Sequence, residues 1–232
     1  MYRETLGITE KFLRDKYNAT DDEIAQLNDL YAFQFEKRSS MPYPTAATNH
    51  PSLVLDGFLY HGDIYHASNG KLLKELDIKH IIDVCDCELE KEIVNNFNVL
   101  WINLNDDFIA DIKKYFETTN QFLYECKQKK EKVLVHCQMG ISRSSSVVLA
   151  YLMKYHHDTL KKAYDYLLER RRVAGPNASF LLQLLRYEKE LRATKEIDES
   201  KNNDDKQNPF ETVDINETAT VSNTQTNNNQ MT

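Results

Sequence analysis

A chain of 232 residues, 41% hydrophobic and 28% charged, is long enough for one folded domain of ordinary size with extensions at its ends. No apolar run reaches the roughly eighteen residues that a membrane span needs. A formal net charge of −7 argues against a general nucleic-acid or anionic-membrane surface, so neither nucleic acid nor membrane is an expected partner.

The opening residues Met1-Tyr2-Arg3-Glu4-Thr5 lack an apolar signal core, which sets the expectation of a cytoplasmic or nuclear protein. Cys85, Cys87, Cys126 and Cys137 show neither metal-ligand spacing nor a disulfide framework, and a reducing compartment suits them. His61, His66 and the adjacent His156-His157 lack further ligands in the sequence and read as surface or satisfied side chains. No metal or organic cofactor is expected.

Residues 1–40 read as an N-terminal helical extension. Thr20-Asp21-Asp22-Glu23 has the form of a capping box, and Ile24, Leu27, Leu30, Tyr31 and Phe35 then recur at helical spacing. Such a stripe is expected to pack onto the domain that follows. Residues 41–51 contain Pro42, Pro44 and Pro51 and read as an extended linker.

Residues 52–194 alternate in type. Strands are expected near 52–55, 58–61, 79–84, 98–104 and 132–136, with helices near 68–76, 110–128, 144–156, 159–171 and 178–193. The helix over 110–128 carries Ile112, Tyr115, Phe116, Thr119, Phe122, Leu123 and Cys126 on one stripe, and 147–153 is apolar nearly all round. The fold class is α/β, a central and mostly parallel sheet flanked by helices, with any ligand site at the carboxyl ends of the strands. Residues 195–232, rich in asparagine and threonine and without apolar periodicity, read as a disordered tail.

The chemistry concentrates in His136-Cys137-Gln138-Met139-Gly140-Ile141-Ser142-Arg143-Ser144, placed between the apolar strand Val133-Leu134-Val135 and a helix. A cysteine followed by five residues and an arginine supplies a sulfur nucleophile, a curl of amides for phosphate oxygens and a guanidinium fork to grip two of them. Gln138, Met139, Gly140, Ile141, Ser142 and Arg143 are thus the phosphate-binding set. An ordinary thiol is only a few per cent ionised at neutral pH, so the thiolate must be stabilised by its surroundings. The positive end of the following helix, the loop amides and Arg143 would do this. Gly140 removes a Cβ where the loop turns tightly. Ser144 is placed to donate to the sulfur as it leaves, and His136 to support the loop through hydrogen bonds.

From Pro51 to Leu191 the chain resembles the dual-specificity branch of the cysteine-based protein tyrosine phosphatases, and is most similar to its small atypical members. The likeness takes in 53–62, 76–84, the cysteine loop and Gly175-Pro176-Asn177 before the last helix. It implies hydrolysis of phosphotyrosine and phosphoserine or phosphothreonine in proteins through a phospho-cysteine, by a catalytic domain at 52–194 acting as a monomer. It also implies a general acid about thirty residues before the cysteine, to protonate the leaving oxygen. Asp106 occupies the family position. Spacing alone leaves the adjacent Asp107 open, and both could simply introduce the helix.

The five loop positions are uncharged, without the lysines that phosphoinositide phosphatases of this superfamily tend to carry, which leans toward phosphoprotein substrates. With no folded domain read before the catalytic one, the kinase-docking subclass is not indicated. A non-protein ester (phosphoinositide, RNA or glucan) and a phosphoprotein-binding pseudophosphatase are the alternatives. Two further expectations follow from the resemblance. Arg172, in Arg170-Arg171-Arg172, lies near where some relatives hold a second anion; a solvated helix end is the alternative. Cys85 lies where a second cysteine bonds the oxidised nucleophile in some relatives; an inert strand-end residue is the alternative.

Overall fold

The structure, a computed structural model, describes residues 2–42 and 49–204. The linker residues 43–48 and the tail residues 205–232, with the readings made of them, lie outside the described residues.

Helix α1 spans Tyr2–Tyr17, and Asn18 leaves it with a left-handed φ of 51°. Helix α2, Asp21–Ser40, begins at the expected capping box: Glu23 N donates to Thr20 Oγ1 at 3.2 Å, and Thr20 N donates to Glu23 Oε2 at 3.1 Å. Ile24, Leu27 and Leu30 are buried, while Phe35 is 73% exposed, so the apolar stripe stops short of the end of the helix. Glu23 is buried because Arg186 grips both its oxygens at 3.0 Å, and that hydrogen-bonded guanidinium holds the carboxyl below its ordinary range.

The sheet contains β1 (Ser52–Leu55), β2 (Leu59–Asp63), β3 (Ile78–Asp83), β4 (Asn98–Trp101) and β5 (Lys132–Cys137) in the order β1-β2-β5-β3-β4. Among the described strands only the β1–β2 pair is antiparallel. Short helices α3 (Ile64–Ala67), α4 (Gly70–Glu75) and α5 (Lys91–Asn96) accompany the first strands. Then come α6 (Phe116–Gln128), α7 (Arg143–Tyr155), α8 (Leu160–Arg170) and α9 (Ala178–Asp204). Central β5 is buried on both faces, as a continuous Val133-Leu134-Val135 run requires. Leu134 and Ile81 pack with Leu73 and Ile93, whereas Val133, Val135 and Ile82 join the larger core with α6, α7, α8 and α9. Helices therefore cover both faces, and α2 packs on α8.

Several boundaries differ from the sequence reading. No helix begins at 110. Asp107 Oδ1 accepts from Ile109 N and Ala110 N at 3.0 and 2.8 Å, a turn that delays the helix to a 3-10 turn at Lys113–Tyr115 and then α6. Strand β4 stops at Trp101 rather than 104, and the helix expected at 68–76 is the shorter α4, capped by Asn69 and preceded by the unforeseen short helix α3. Helix α9 runs to Asp204, well past 193 and into the expected tail, because 193–199 (Ala-Thr-Lys-Glu-Ile-Asp-Glu) is mostly made of good helix formers. Of the described residues, 196–204 fall outside the compact unit that ends at Lys195, and they are helical.

Candidate active site

Parallel pairing aligns the carboxyl ends of three strands, with Asp63 opposite Cys137 and Asp83 opposite His136. The loop that leaves β5 at Cys137 returns as the first turn of α7 at Arg143, so a helix N-terminus faces the sulfur.

The loop is turned by its carbonyls. Gln138 O accepts from Ile64 N at 3.3 Å, Gly140 O from Arg171 Nε at 2.7 Å, Ile141 O from Gly175 N at 2.8 Å, and Ser142 O from Ser146 N at 3.0 Å. Each bond draws a carbonyl outward into the scaffold. Because a trans peptide sets its N–H opposite its C=O, the amides of Met139, Ile141, Ser142 and Arg143 are left facing the inside of the loop. Gly140 is required twice over. Its φ of +61° is left-handed, and a Cβ there would collide with Arg171 Nη2 and the Gly62 carbonyl.

Cys137, 1% exposed, sits at the floor with Ser144 Oγ 3.1 Å from its Sγ. Arg143 is buried, and its Nη1 donates to Leu104 O at 2.9 Å and to Asp86 Oδ1 at 3.0 Å. Among the described residues its Nε makes no hydrogen bond. A buried, fixed cation with one donor edge unused is suited to an incoming oxyanion.

Asp106 and Asp107 separate by geometry. Asp106 Oδ1 accepts from Ser142 Oγ at 2.7 Å and from Asn177 Nδ2 at 2.8 Å, and Oδ2 stands 3.7 Å from Arg143 Nε. Asp107 instead caps its own turn. The acid-bearing segment is tied down from afar by Tyr17 Oη donating to Phe108 O at 2.6 Å and by Gln183 Oε1 accepting from Ile112 N and Lys113 N.

Other residues singled out in the sequence lie as follows. Arg172 Nη2 donates to Arg38 O at 2.7 Å, so that guanidinium is engaged with α2, and it is Arg171 that reaches the loop. Cys85, two residues past the end of β3, is fully buried; burial and neighbouring Asp83 push its thiol far up, away from the reactive thiolate form. Exposed Cys87 is the cysteine whose Sγ lies 4.0 Å from Gln138 Oε1 of the loop. All four cysteines are free. His136 is buried, with Nε2 3.4 Å from Asp83 Oδ1. Asp83, Cys85 and His136 are the one group among the described residues with metal-ligand chemistry, their donor atoms within 4.8 Å of one another. Asn177, Arg171, Asp86 and His61 contact the machinery without having been named for it in the sequence. Only Asn177 carried a signal, its place in Gly175-Pro176-Asn177.

Behind the loop, burial raises the Asp83 carboxyl from 3.8 to about 6 and lowers the His136 imidazole from 6.5 to about 4. At neutral pH the carboxylate is therefore charged and the imidazole is not. Between the ordinary carboxyl value and the raised one, the unfolded chain is the more ionised, so this group's contribution to stability falls as pH rises through that window and is flat above it. Asp83→Asn is expected to add about 2 kcal/mol at pH 7.5 and little at pH 4. Denaturant unfolding at both pH values reads this; an equal gain at both would contradict the assignment.

A recess of about 500 Å³ opens beside the loop, bordered by Ile141, Phe108 and Asn177 on one side and by Tyr31, Phe35 and Arg38 of α2 on the other.

A parallel sheet that delivers a cysteine, a ring of inward amides and a fixed arginine to one helix N-terminus has the architecture of the cysteine-dependent phosphatases. Comparison with known proteins narrows the class. The family described as dual specificity phosphatase, catalytic domain, matches residues 59–190. The chain is 40% identical to human Dual specificity protein phosphatase 5 over 134 residues, which are 58% of this chain and 35% of that protein. It is 32% identical to human Protein phosphatase Slingshot homolog 2 over 193 residues, 83% of this chain and 13% of that protein. Among solved structures, the human tyrosine phosphatase-like serine/threonine/tyrosine-interacting protein superposes with a TM-score of 0.56 at 32% identity, covering 61% of this chain and 97% of that one. This chain belongs to the dual-specificity phosphatase family. It spans about a third of the length of the first curated relatives that it matches.

Proposed function

We propose that this chain hydrolyses phosphotyrosine and phosphoserine or phosphothreonine in proteins through a phospho-cysteine at Cys137. The observation that carries the reading is the outward anchoring of four loop carbonyls, which leaves an amide-lined ring between the Cys137 sulfur and the unused Nε of Arg143.

In the first step the Cys137 thiolate attacks phosphorus, an S–P bond forms and the P–O bond to the side chain breaks. Protonated Asp106 gives its proton to the departing oxygen. The amides and Arg143 bind the three equatorial oxygens as charge redistributes, and Asp86 with the Leu104 carbonyl keeps the guanidinium from swinging away. In the second step water attacks phosphorus, Asp106 takes its proton, and the S–P electron pair returns to sulfur, releasing inorganic phosphate. No step calls on a metal or cofactor.

The loop's lip supports a polypeptide substrate. Gln138 and Met139 are exposed and uncharged, and Met139 at 67% exposure offers nothing to a polyphosphorylated headgroup. The recess between the loop and α2 leaves room for chain on either side of the phosphorylated residue. Free cysteines suit a reducing compartment, and with a cytoplasmic or nuclear setting the partner is a phosphoprotein. Among the described residues no helix is long and apolar enough to cross a membrane.

Binding without turnover is the second reading, favoured by the likeness to a protein called phosphatase-like. Cys137, Arg143 and Asp106 in register with one another weigh against it. Assay of the purified chain with an aryl phosphate, with phosphotyrosine and phosphothreonine peptides and with inositol phospholipids separates the readings. Turnover of both peptides is expected. Turnover confined to the lipids, or phosphopeptide binding with no phosphate released, would replace this function with an alternative.

A further inference from the structure

Beneath the loop, the Ser144 hydroxyl has two neighbours rather than one. Its Oγ lies 3.1 Å from Cys137 Sγ and 2.8 Å from Nε2 of His61 on β2. All three side chains are buried, so no bulk water competes for the contacts. Burial, with Arg171, His66 and His136 nearby, holds the His61 imidazole well below its ordinary value, and it is neutral at physiological pH.

A neutral imidazole has one N–H and a serine hydroxyl has one O–H, and this decides the direction of the chain of bonds. When sulfur is negative it accepts, so the single Ser144 hydrogen points at Sγ. Ser144 Oγ is then left as an acceptor only, and the imidazole hydrogen belongs on Nε2, donating to it. Among the described residues Nδ1 has no partner, which fits a ring whose hydrogen sits on the other nitrogen.

We propose that His61 is a positioning residue of the phosphatase reaction, which acts through Ser144 by holding its O–H on the Cys137 sulfur. The inference rests on the phosphatase reading above. Its effect falls on the second step. As water attacks phosphorus and the S–P electron pair returns to Sγ, the new negative charge meets an O–H already oriented and polarised by Nε2–H. Asp106 accepts the water proton, so His61 itself neither gains nor loses one.

The test is a double-mutant cycle with an activated aryl phosphate, read by steady-state and stopped-flow kinetics. His61→Leu should lower kcat about tenfold, the worth of one buried hydrogen bond, while kcat/KM stays within about twofold because formation of the phospho-cysteine is spared. KM falls with kcat, and a burst of phenol appears as the intermediate accumulates. His61→Gln, whose amide reaches about as far as Nε2, should restore most of kcat; His61→Asn, which stops short, should behave as leucine does. On a Ser144→Ala background, His61→Leu should change kcat less than about twofold. Multiplicative losses in the double variant, an equal fall in kcat and kcat/KM without a burst, or no rescue by glutamine would each overturn the role. A parent chain that releases no phosphate would instead overturn the phosphatase reading and this inference with it.

Discussion

Cys137→Ser should abolish phosphate release from every ester the parent chain accepts, by at least about ten-thousandfold, because an uncharged hydroxyl replaces the sulfur nucleophile at the floor of the loop. The variant should still bind phosphopeptides. The amides that grip the oxygens are oriented by carbonyl bonds to Ile64, Arg171, Gly175 and Ser146, none of which involves the sulfur. Arg143→Lys should lose about a hundred- to a thousandfold, since an ammonium cannot present two parallel donors and cannot keep both Leu104 O and Asp86. Initial rates paired with calorimetric binding of a phosphopeptide read both effects. Retained turnover in Cys137→Ser would end the covalent mechanism, and loss of binding together with turnover would show that the sulfur also builds the anion site.

Asp106→Asn should separate substrates by leaving group. For alkyl esters such as phosphothreonine a fall of about a hundredfold is expected, because a poor leaving oxygen needs its proton. For an activated aryl phosphate the loss should be several-fold smaller. Asp107→Asn should affect both substrates alike and weakly, because its carboxylate is committed to the amides of Ile109 and Ala110. Comparing kcat/KM across a leaving-group series for the two variants reads the difference. A flat response for Asp106→Asn, or the steeper response from Asp107→Asn, would move the acid by one residue.

The parts that were legible in the sequence are those written in contiguous residues. The loop from His136 to Ser144 is a single stretch, the Thr20 capping box spans four residues, and the buried β5 run and apolar α7 follow from local pattern. What was not legible lies across long sequence separations. Asn177 reaches Asp106 from the far end of the domain, Tyr17 reaches Phe108 from α1, and Arg171 reaches Gly140 from the end of α8. No periodicity encodes such pairs. Three consecutive arginines look alike in sequence, yet one stacks on Tyr166, one anchors the loop and one meets α2, because the chain turns sharply after Arg170. Two neighbouring aspartates are equally ambiguous until the turn at Ile109 commits Asp107. His61 read as a surface or satisfied histidine; the parallel pairing of β2 with β5 brings it under Ser144.

The central claim is that phosphate from a phosphoprotein passes through the sulfur of Cys137. Acid-quenching the parent chain during turnover of a phosphotyrosine and a phosphothreonine peptide, followed by peptide mass mapping, tests it directly. The account predicts a phosphoryl group on the peptide holding Cys137, formed from both substrates and absent in Cys137→Ser. Phosphate on any other residue, or turnover with Cys137 unmodified at every quench time, would contradict it.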